Sequence, residues 1–178
     1  MIKAEVIGEI KRFRMILAIA PLHHYPACAS ILACWAYQEW YKDRPLDFSV
    51  VLHAYRERAR HASLPQSFVA LADSQPVGMA TLKLDDLRSC ADINPWFSSL
   101  YVVPVFRNRG IGAALIQGLL ARARELGYKD LHLFLGQRDP ERLERYYCSR
   151  GWNIIGAPMD NDGLPTKVLR YTLKDQIR

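Results

Sequence analysis

Along the chain, runs with a two-residue apolar repeat change places with runs whose apolar positions recur every three or four residues. Met15 to Ile19 is a short apolar run that reads as a strand, and Pro21 stops it. From His24 to about Tyr41, the residues Ile31, Leu32, Trp35, Tyr37 and Trp40 fall at mostly helical spacing, and a second helix is predicted over Val50 to His61. Ser67 to Asp73 and Val77 to Leu84 read as two strands joined by the turn Ser74 to Pro76, which makes a hairpin. Trp96 to Val103 is a further strand, closed by Pro104. Ile111 to Leu126 predicts a helix with Leu115, Leu119 and Leu126 inward, Arg122 and Arg124 outward, and Gly127 as its stop. Asp130 to Leu135 alternates as a strand. Pro140 to Arg150 is a helix, with Asp139 as N-cap, Pro140 at its first position and Gly151 at its close. Trp152 to Gly156 and Val168 to Leu173 supply two last strands.

The predicted order is strand, two helices, three strands, helix, strand, helix, two strands. A hairpin feeding two strand-helix units implies a mixed sheet with helices on both faces, so the fold class is α/β, of the α+β kind. The 178 residues fit one domain over residues 1–178, with residues 1–13 as a loosely attached N-terminal extension. That extension carries both charge signs and no cleavage pattern, so neither a signal peptide nor an anchor is expected.

Charge narrows the partners. The chain has 24 Lys and Arg against 18 Asp and Glu, net +6, and the stretch from Pro104 to Arg150 carries four of those charges. This favours anionic ligands. No zinc pattern or interleaving of aromatic and basic residues accompanies it, so no nucleic-acid partner is expected. Cys28, Cys34, Cys90 and Cys148 form no CxxC and have no histidines at ligand spacing, which predicts reduced, partly buried thiols, no metal and a cytoplasmic protein. No apolar run near the start is long enough for a membrane span.

The chemistry-bearing stretch is VVPVFRNRGIGAAL, Val102 to Leu115. A glycine-punctuated turn between a strand and a helix points backbone N–H groups into one concavity, and the helix adds the positive end of its dipole. Gly110 and Gly112 allow close approach of an anion, and Arg107 and Arg109 add charge; a tight turn with outward arginines is the plainer alternative. A Walker loop would need Gly-Lys-Ser or Gly-Lys-Thr, and a dinucleotide fingerprint a small residue where Leu115 stands.

The pattern that fits is Arg/Gln-x-x-Gly-x-Gly/Ala after a strand ending in Val-x-Pro: Arg107, Asn108, Arg109, Gly110, Ile111 and Gly112 follow Leu100 to Pro104. With it, the chain closely resembles the GNAT superfamily of N-acetyltransferases. RYYCSRGW, Arg145 to Trp152, resembles the family's aromatic-Tyr-x-x-x-Gly-aromatic signature. The upstream half departs from it, with Pro140 and Leu143 where many members have Asn and Ala.

The resemblance implies a mixed, mostly antiparallel sheet of about seven strands and about four helices, with the strand at Trp96 to Val103 splayed from that at Asp130 to Leu135. It implies acetyl-CoA as co-substrate, its diphosphate held by Arg107, Asn108, Arg109, Gly110, Ile111, Gly112 and Ala113. The pantetheine arm would pair with main-chain groups of Leu100, Tyr101 and Val102, a small-molecule form of strand addition. Tyr147, four residues before Gly151, is the expected general acid near the sulfur, with the adjacent Tyr146 expected in the core.

The expected reaction is acetyl transfer to a primary amine of a small molecule or of a peptide or protein. A backbone N–H near Val102 is the expected oxyanion donor. No carboxylate lies in the strands beside the presumed thioester, so Glu39 is the tentative base, with Asp86 and Asp92 as alternatives, and His132 is expected to be structural. Trp35, Trp40 and Trp96 are candidates for holding the acceptor by ring faces, or for packing the core. A homodimer is left open. The rival reading is a catalytically silent acyl-CoA-binding sensor.

Overall fold

The computed structural model describes residues 15–173, so the expectation for residues 1–13 lies outside the described residues. The strands are β1 (Leu17–Pro21), β2 (Gln66–Ala72), β3 (Gln75–Lys83), β4 (Trp96–Val102), β5 (Asp130–Phe134), β6 (Asn153–Gly156) and β7 (Val168–Thr172). The helices are α1 (Ala29–Ala36), α2 (Phe48–Arg58), α3 (Ile111–Glu125) and α4 (Pro140–Cys148). One mixed sheet runs in the order β1-β2-β3-β4-β5-β7-β6, antiparallel throughout except for the pair β4 and β5. The α/β class, seven strands and four helices agree with the expectation.

Local chemistry explains most boundaries. The β2–β3 turn places Asp73 at φ 47° and Ser74 at φ 68°, two left-handed residues that match the twist of a tight hairpin. The helix predicted from His24 is interrupted: 3₁₀ turns cover Leu22–His24 and Pro26–Cys28, and α1 begins only at Ala29. Pro26 has no N–H to give and opens the second of those turns. Beyond α1, Tyr37–Tyr41 form a π-helical turn. Helix α2 starts two residues before the prediction because Asp47 accepts from Ser49 N at 2.7 Å. Asp139 caps α4 as expected, accepting from Arg142 N at 3.3 Å.

Alternation along the strands builds a core on each face. Phe68, Ala70, Leu82, Phe97, Leu131 and Leu133 pack with Leu115, Leu119 and Leu120 of α3 and with Tyr147 and Trp152. On the opposite face Val69, Leu71 and Met79 pack with Leu32, Ala33, Val51 and Tyr55. Leu126, expected inward, lies past the end of α3 and is exposed. Arg122, expected outward, is drawn against the sheet, where its Nε donates to Gln66 Oε1 at 2.9 Å. Cys34 and Cys148 are exposed, Cys28 and Cys90 half-buried, and all four are free. Among the described residues no helix is long and apolar enough to cross a membrane.

Candidate active site

The centre of the sheet is held open by a bulge in β4. Strands β3 and β4 pair from Lys83↔Trp96 to Thr81↔Ser98, then shift register before Met79↔Tyr101. The extra residue is absorbed where Ser99 takes φ 57°, a left-handed conformation that is uncommon for serine. Two consecutive hydroxyls thereby come together, with Ser98 Oγ and Ser99 Oγ 3.3 Å apart. A bulge also bends its strand, and β4 leaves β5 after one rung, Trp96↔His132. His132 N donates to Pro95 O at 3.1 Å and the His132 ring Nδ1 lies 3.2 Å from the same oxygen, which pins the closed end of the gap. Burial lowers the pKa of this imidazole, so it is a neutral structural group, as expected.

Above that rung β4 has β3 on one side and the gap on the other. Val103 N donates to Val77 O at 2.9 Å. Main-chain groups alternate along a strand, so Leu100 and Val102 turn theirs toward the gap. Tyr101 therefore faces β3, where it pairs with Met79, and its ring lies 5.4 Å from that of Trp35 on the α1 face. The expected pantetheine contact through Tyr101 main chain is corrected on this ground. The Val102 carbonyl accepts from Arg107 Nε at 3.0 Å, which leaves its N–H as the group available to the gap.

The gap leads up to the glycine turn. Asn108 (φ 61°) and Gly110 (φ 80°) both take left-handed angles and reverse the chain into α3. Gly110 is the N-cap and gives no side-chain bond, and the first helical bond runs from Ala114 N to Gly110 O at 3.0 Å. The N–H groups of Ile111, Gly112 and Ala113 consequently have no acceptor within the helix. Residues 107–110 are exposed, while Ile111 buries its side chain and offers only its amide. Arg107 lies over the Tyr101 ring and Arg109 over the Phe106 ring, which holds two guanidinium groups at the rim of the turn.

Helix α4 brings two tyrosines beside the gap, their rings 5.2 Å apart and edge to face. Tyr147 is buried, its ring 6.2 Å from Phe97 and 5.8 Å from Trp152, and Phe97 adjoins the Trp96 rung. Burial pushes the Tyr147 phenol well above the usual tyrosine range, so it keeps its proton. Tyr146, expected in the core, packs against its margin. It is half-buried, Arg150 stacks 3.8 Å above its ring, and its hydroxyl faces the first turn of α3 at Gly112.

The expected acceptor residues are dispersed. Trp96 is wholly buried, its Nε1 donating to Ile93 O at 2.6 Å and its ring packed with Leu87, Val168 and Phe134, so its assignment as a substrate-binding residue is overturned. Trp35 and Trp40 are half-buried against the α1–α2 core. Glu39, from the π-helical turn, is paired with the loop after β5, where its Oε1 accepts from Arg138 Nη1 at 2.8 Å. That carboxylate is a clasp between the α1 end and the loop after β5. Asp86 is held by Lys83 at 2.5 Å, and Asp92 is exposed on the loop before β4.

Three features lay beyond the sequence reading. These are the paired hydroxyls of Ser98 and Ser99, the Tyr146 hydroxyl beside Gly112, and a cavity of about 140 Å³ between α2 and the sheet. The cavity is lined by Tyr55, Arg58, Thr81, Lys83 and Ser99 among others, and so opens onto the bulge.

Residues 29–151 match the model of the Acetyltransferase (GNAT) family, which is more than half of the chain. The chain belongs to the GNAT acetyltransferase family. No curated protein matches it in sequence. Its fold is similar to that of Ard1 from Thermoplasma volcanium, with TM-score 0.66 and 16% identity over 89% of this chain and 99% of the other. Aminoglycoside 6'-acetyltransferase type Ii aligns with TM-score 0.68 and 17% identity over 91% and 99% of the two chains. The yncA protein of Salmonella typhimurium, solved with its cofactor acetyl-CoA, aligns with TM-score 0.63 and 19% identity over 93% and 97%. At such identities these likenesses establish the fold alone.

Proposed function

We propose that this GNAT domain transfers the acetyl group of acetyl-CoA directly to a primary amine of a small molecule or a peptide. The observation that carries the reading is a continuous track. It runs from the open β4 edge at Leu100 and Val102 to the unpaired amides of Ile111, Gly112 and Ala113, with Arg107 and Arg109 at its rim. Unpaired main-chain groups inside a sheet are costly unless a ligand pairs with them, and the pantetheine arm has amides to do so.

The donor supplies an activated thioester; the chain supplies placement and charge. The α3 amides and the two arginines bind the diphosphate. Leu100 and Val102 align the arm so that its sulfur lies toward the closed end of the gap, and such alignment is worth roughly 7–11 kcal/mol in intramolecular analogues. The Val102 N–H donates to the carbonyl oxygen as negative charge develops there. Tyr147, protonated and next to Phe97, donates to the departing sulfur. Tyr146 lines the diphosphate end. The amine enters from the α1–α2 face past Ser98 and Ser99, and its proton leaves to water.

The experiment is calorimetry with acetyl-CoA followed by a thiol-release assay over amines, amino acids, polyamines, aminoglycosides and peptides. Binding heat with thiol release from at least one acceptor supports the proposal. One observation favours the rival sensor reading: the cavity beside the bulge is lined by no carboxylate, and Glu39 is held by Arg138. That reading expects heat with acetyl-CoA and no release with any amine.

A further inference from the structure

We propose that the acceptor amine also carries a carboxylate, and that Arg58 receives it in the cavity between α2 and strands β3 and β4. The proposal rests on the acetyl-transfer reading and adds the chemical class of the acceptor.

Three features of the cavity support it. First, its position: one wall is Ser99 of the bulge, so a molecule filling it has one end at the gap where transfer is proposed. Second, its size: about 140 Å³ is well below the roughly 300–1,000 Å³ of pockets that hold drug-sized ligands, which suits a compact acceptor or the end of a chain. Third, its charge: Arg58 and Lys83 line it and no Asp, Glu or His does.

The two cations differ. Lys83 is already paired with Asp86 at 2.5 Å. Arg58, half-buried in the last turn of α2, stacks on the Tyr55 ring at 4.6 Å, and among the described residues no carboxylate lies in ion-pair reach of it. Stacking fixes the guanidinium plane and leaves its fork of N–H donors for a planar, two-oxygen partner. The floor is polar as well, because the buried Tyr55 hydroxyl is 3.8 Å from Met79 Sδ beside Thr81. A polycation would meet the charge of Arg58 here, and the carboxylate beside the cavity, Asp86, is already taken by Lys83. An amine with a carboxylate places the acid at Arg58 and the nitrogen toward Ser99. The same positive lining disfavours a second positive charge, so it promotes loss of the ammonium proton in a cavity that has no carboxylate base.

The test is titration calorimetry on the CoA-saturated full chain with acetylated products as probes. These are N-acetylglycine, N-acetylaspartate, the methyl ester of each, and N-acetylputrescine. The free acids should bind at least tenfold more tightly than their esters. Arg58→Gln should erase that preference and Arg58→Lys keep part of it, with the acetyl-CoA Kd within twofold of the parent in both. Equal affinity of acid and ester, no binding of the acids, preference for N-acetylputrescine, or an acid preference that survives Arg58→Gln each overturns the proposal. Acetyl-CoA titrated into the parent chain reports separately on the transfer reading. If that heat is absent, the acid and ester comparison is made on the free chain and still decides the role of Arg58.

Discussion

The Tyr146 hydroxyl lies 3.6 Å from where a Cβ on Gly112 would stand, with Val102 Cγ2 at 3.9 Å and Leu100 Cδ2 at 4.0 Å from the same point. A methyl group therefore fits without displacing anything, in the first turn of α3. Gly112→Ala should leave stability unchanged or raise it by about 0.4–1 kcal/mol, through the smaller entropy of the unfolded chain. The pattern Arg/Gln-x-x-Gly-x-Gly/Ala accepts alanine at this position, so acetyl-CoA affinity is expected to stay within about threefold of the parent. Urea unfolding and calorimetry on one variant check both halves, and a tenfold loss of affinity at unchanged stability would show that the added methyl stands in the path of the ligand.

The two tyrosines of α4 should separate binding from chemistry. Tyr147→Phe removes the donor at the closed end of the gap, so kcat should drop at least tenfold with acetyl-CoA affinity little altered. Tyr146→Phe removes a hydroxyl beside Gly112, so it should weaken acetyl-CoA binding a few-fold and leave kcat nearly unchanged. Steady-state kinetics with calorimetry resolve the two, and the opposite pattern exchanges their roles.

Much of this arrangement was legible in the residue pattern because it depends on local rules. Period-two runs gave the strands, Gly110 and Gly112 gave the turn, and Asp139 with Pro140 gave the start of α4. What escaped depends on the partner strand or on helix rotation. Ser99 carries no signature of a left-handed residue, and its bulge exists only in the register of β4 against β3. Neighbours on a helix point about 100° apart, so whether Tyr146 or Tyr147 meets the core follows from how α4 docks. Trp96 reads as either an acceptor platform or a core residue until β5 is laid beside it. The clasp between Glu39 and Arg138 joins residues 99 apart in the chain and leaves no local trace.

That clasp makes an expectation about the base. Glu39 is about a quarter exposed and Arg138 more than three-quarters exposed, so the pair contributes at most about 1 kcal/mol. Glu39→Gln should shift the unfolding midpoint only slightly and keep kcat within about twofold. A general base would cost 10²–10⁴-fold on removal. Thiol-release rates for the parent and Glu39→Gln, taken across pH 6 to 9, decide the matter, and a loss of a hundredfold would return Glu39 to the chemistry.

Alkaline pH should expose the two buried phenols. Tyr55 and Tyr147 each have a pKa raised by burial, Tyr55 against the opposing pull of the Arg58 charge. In the unfolded chain both titrate near the ordinary tyrosine value of about 10. Their contribution to stability is therefore complete below pH 10 and is lost as pH rises from there toward the folded-state values, because unfolding then releases protons that the native state retains. The pair steepens the fall by about 2.7 kcal/mol per pH unit, and each Tyr→Phe change should remove about half of it. Urea midpoints at pH 9, 10, 10.5 and 11 for the parent, Tyr55→Phe and Tyr147→Phe check this. Parallel curves for all three chains would mean that the phenols reach solvent in the folded state, and would remove the ground for treating Tyr147 as a protonated donor.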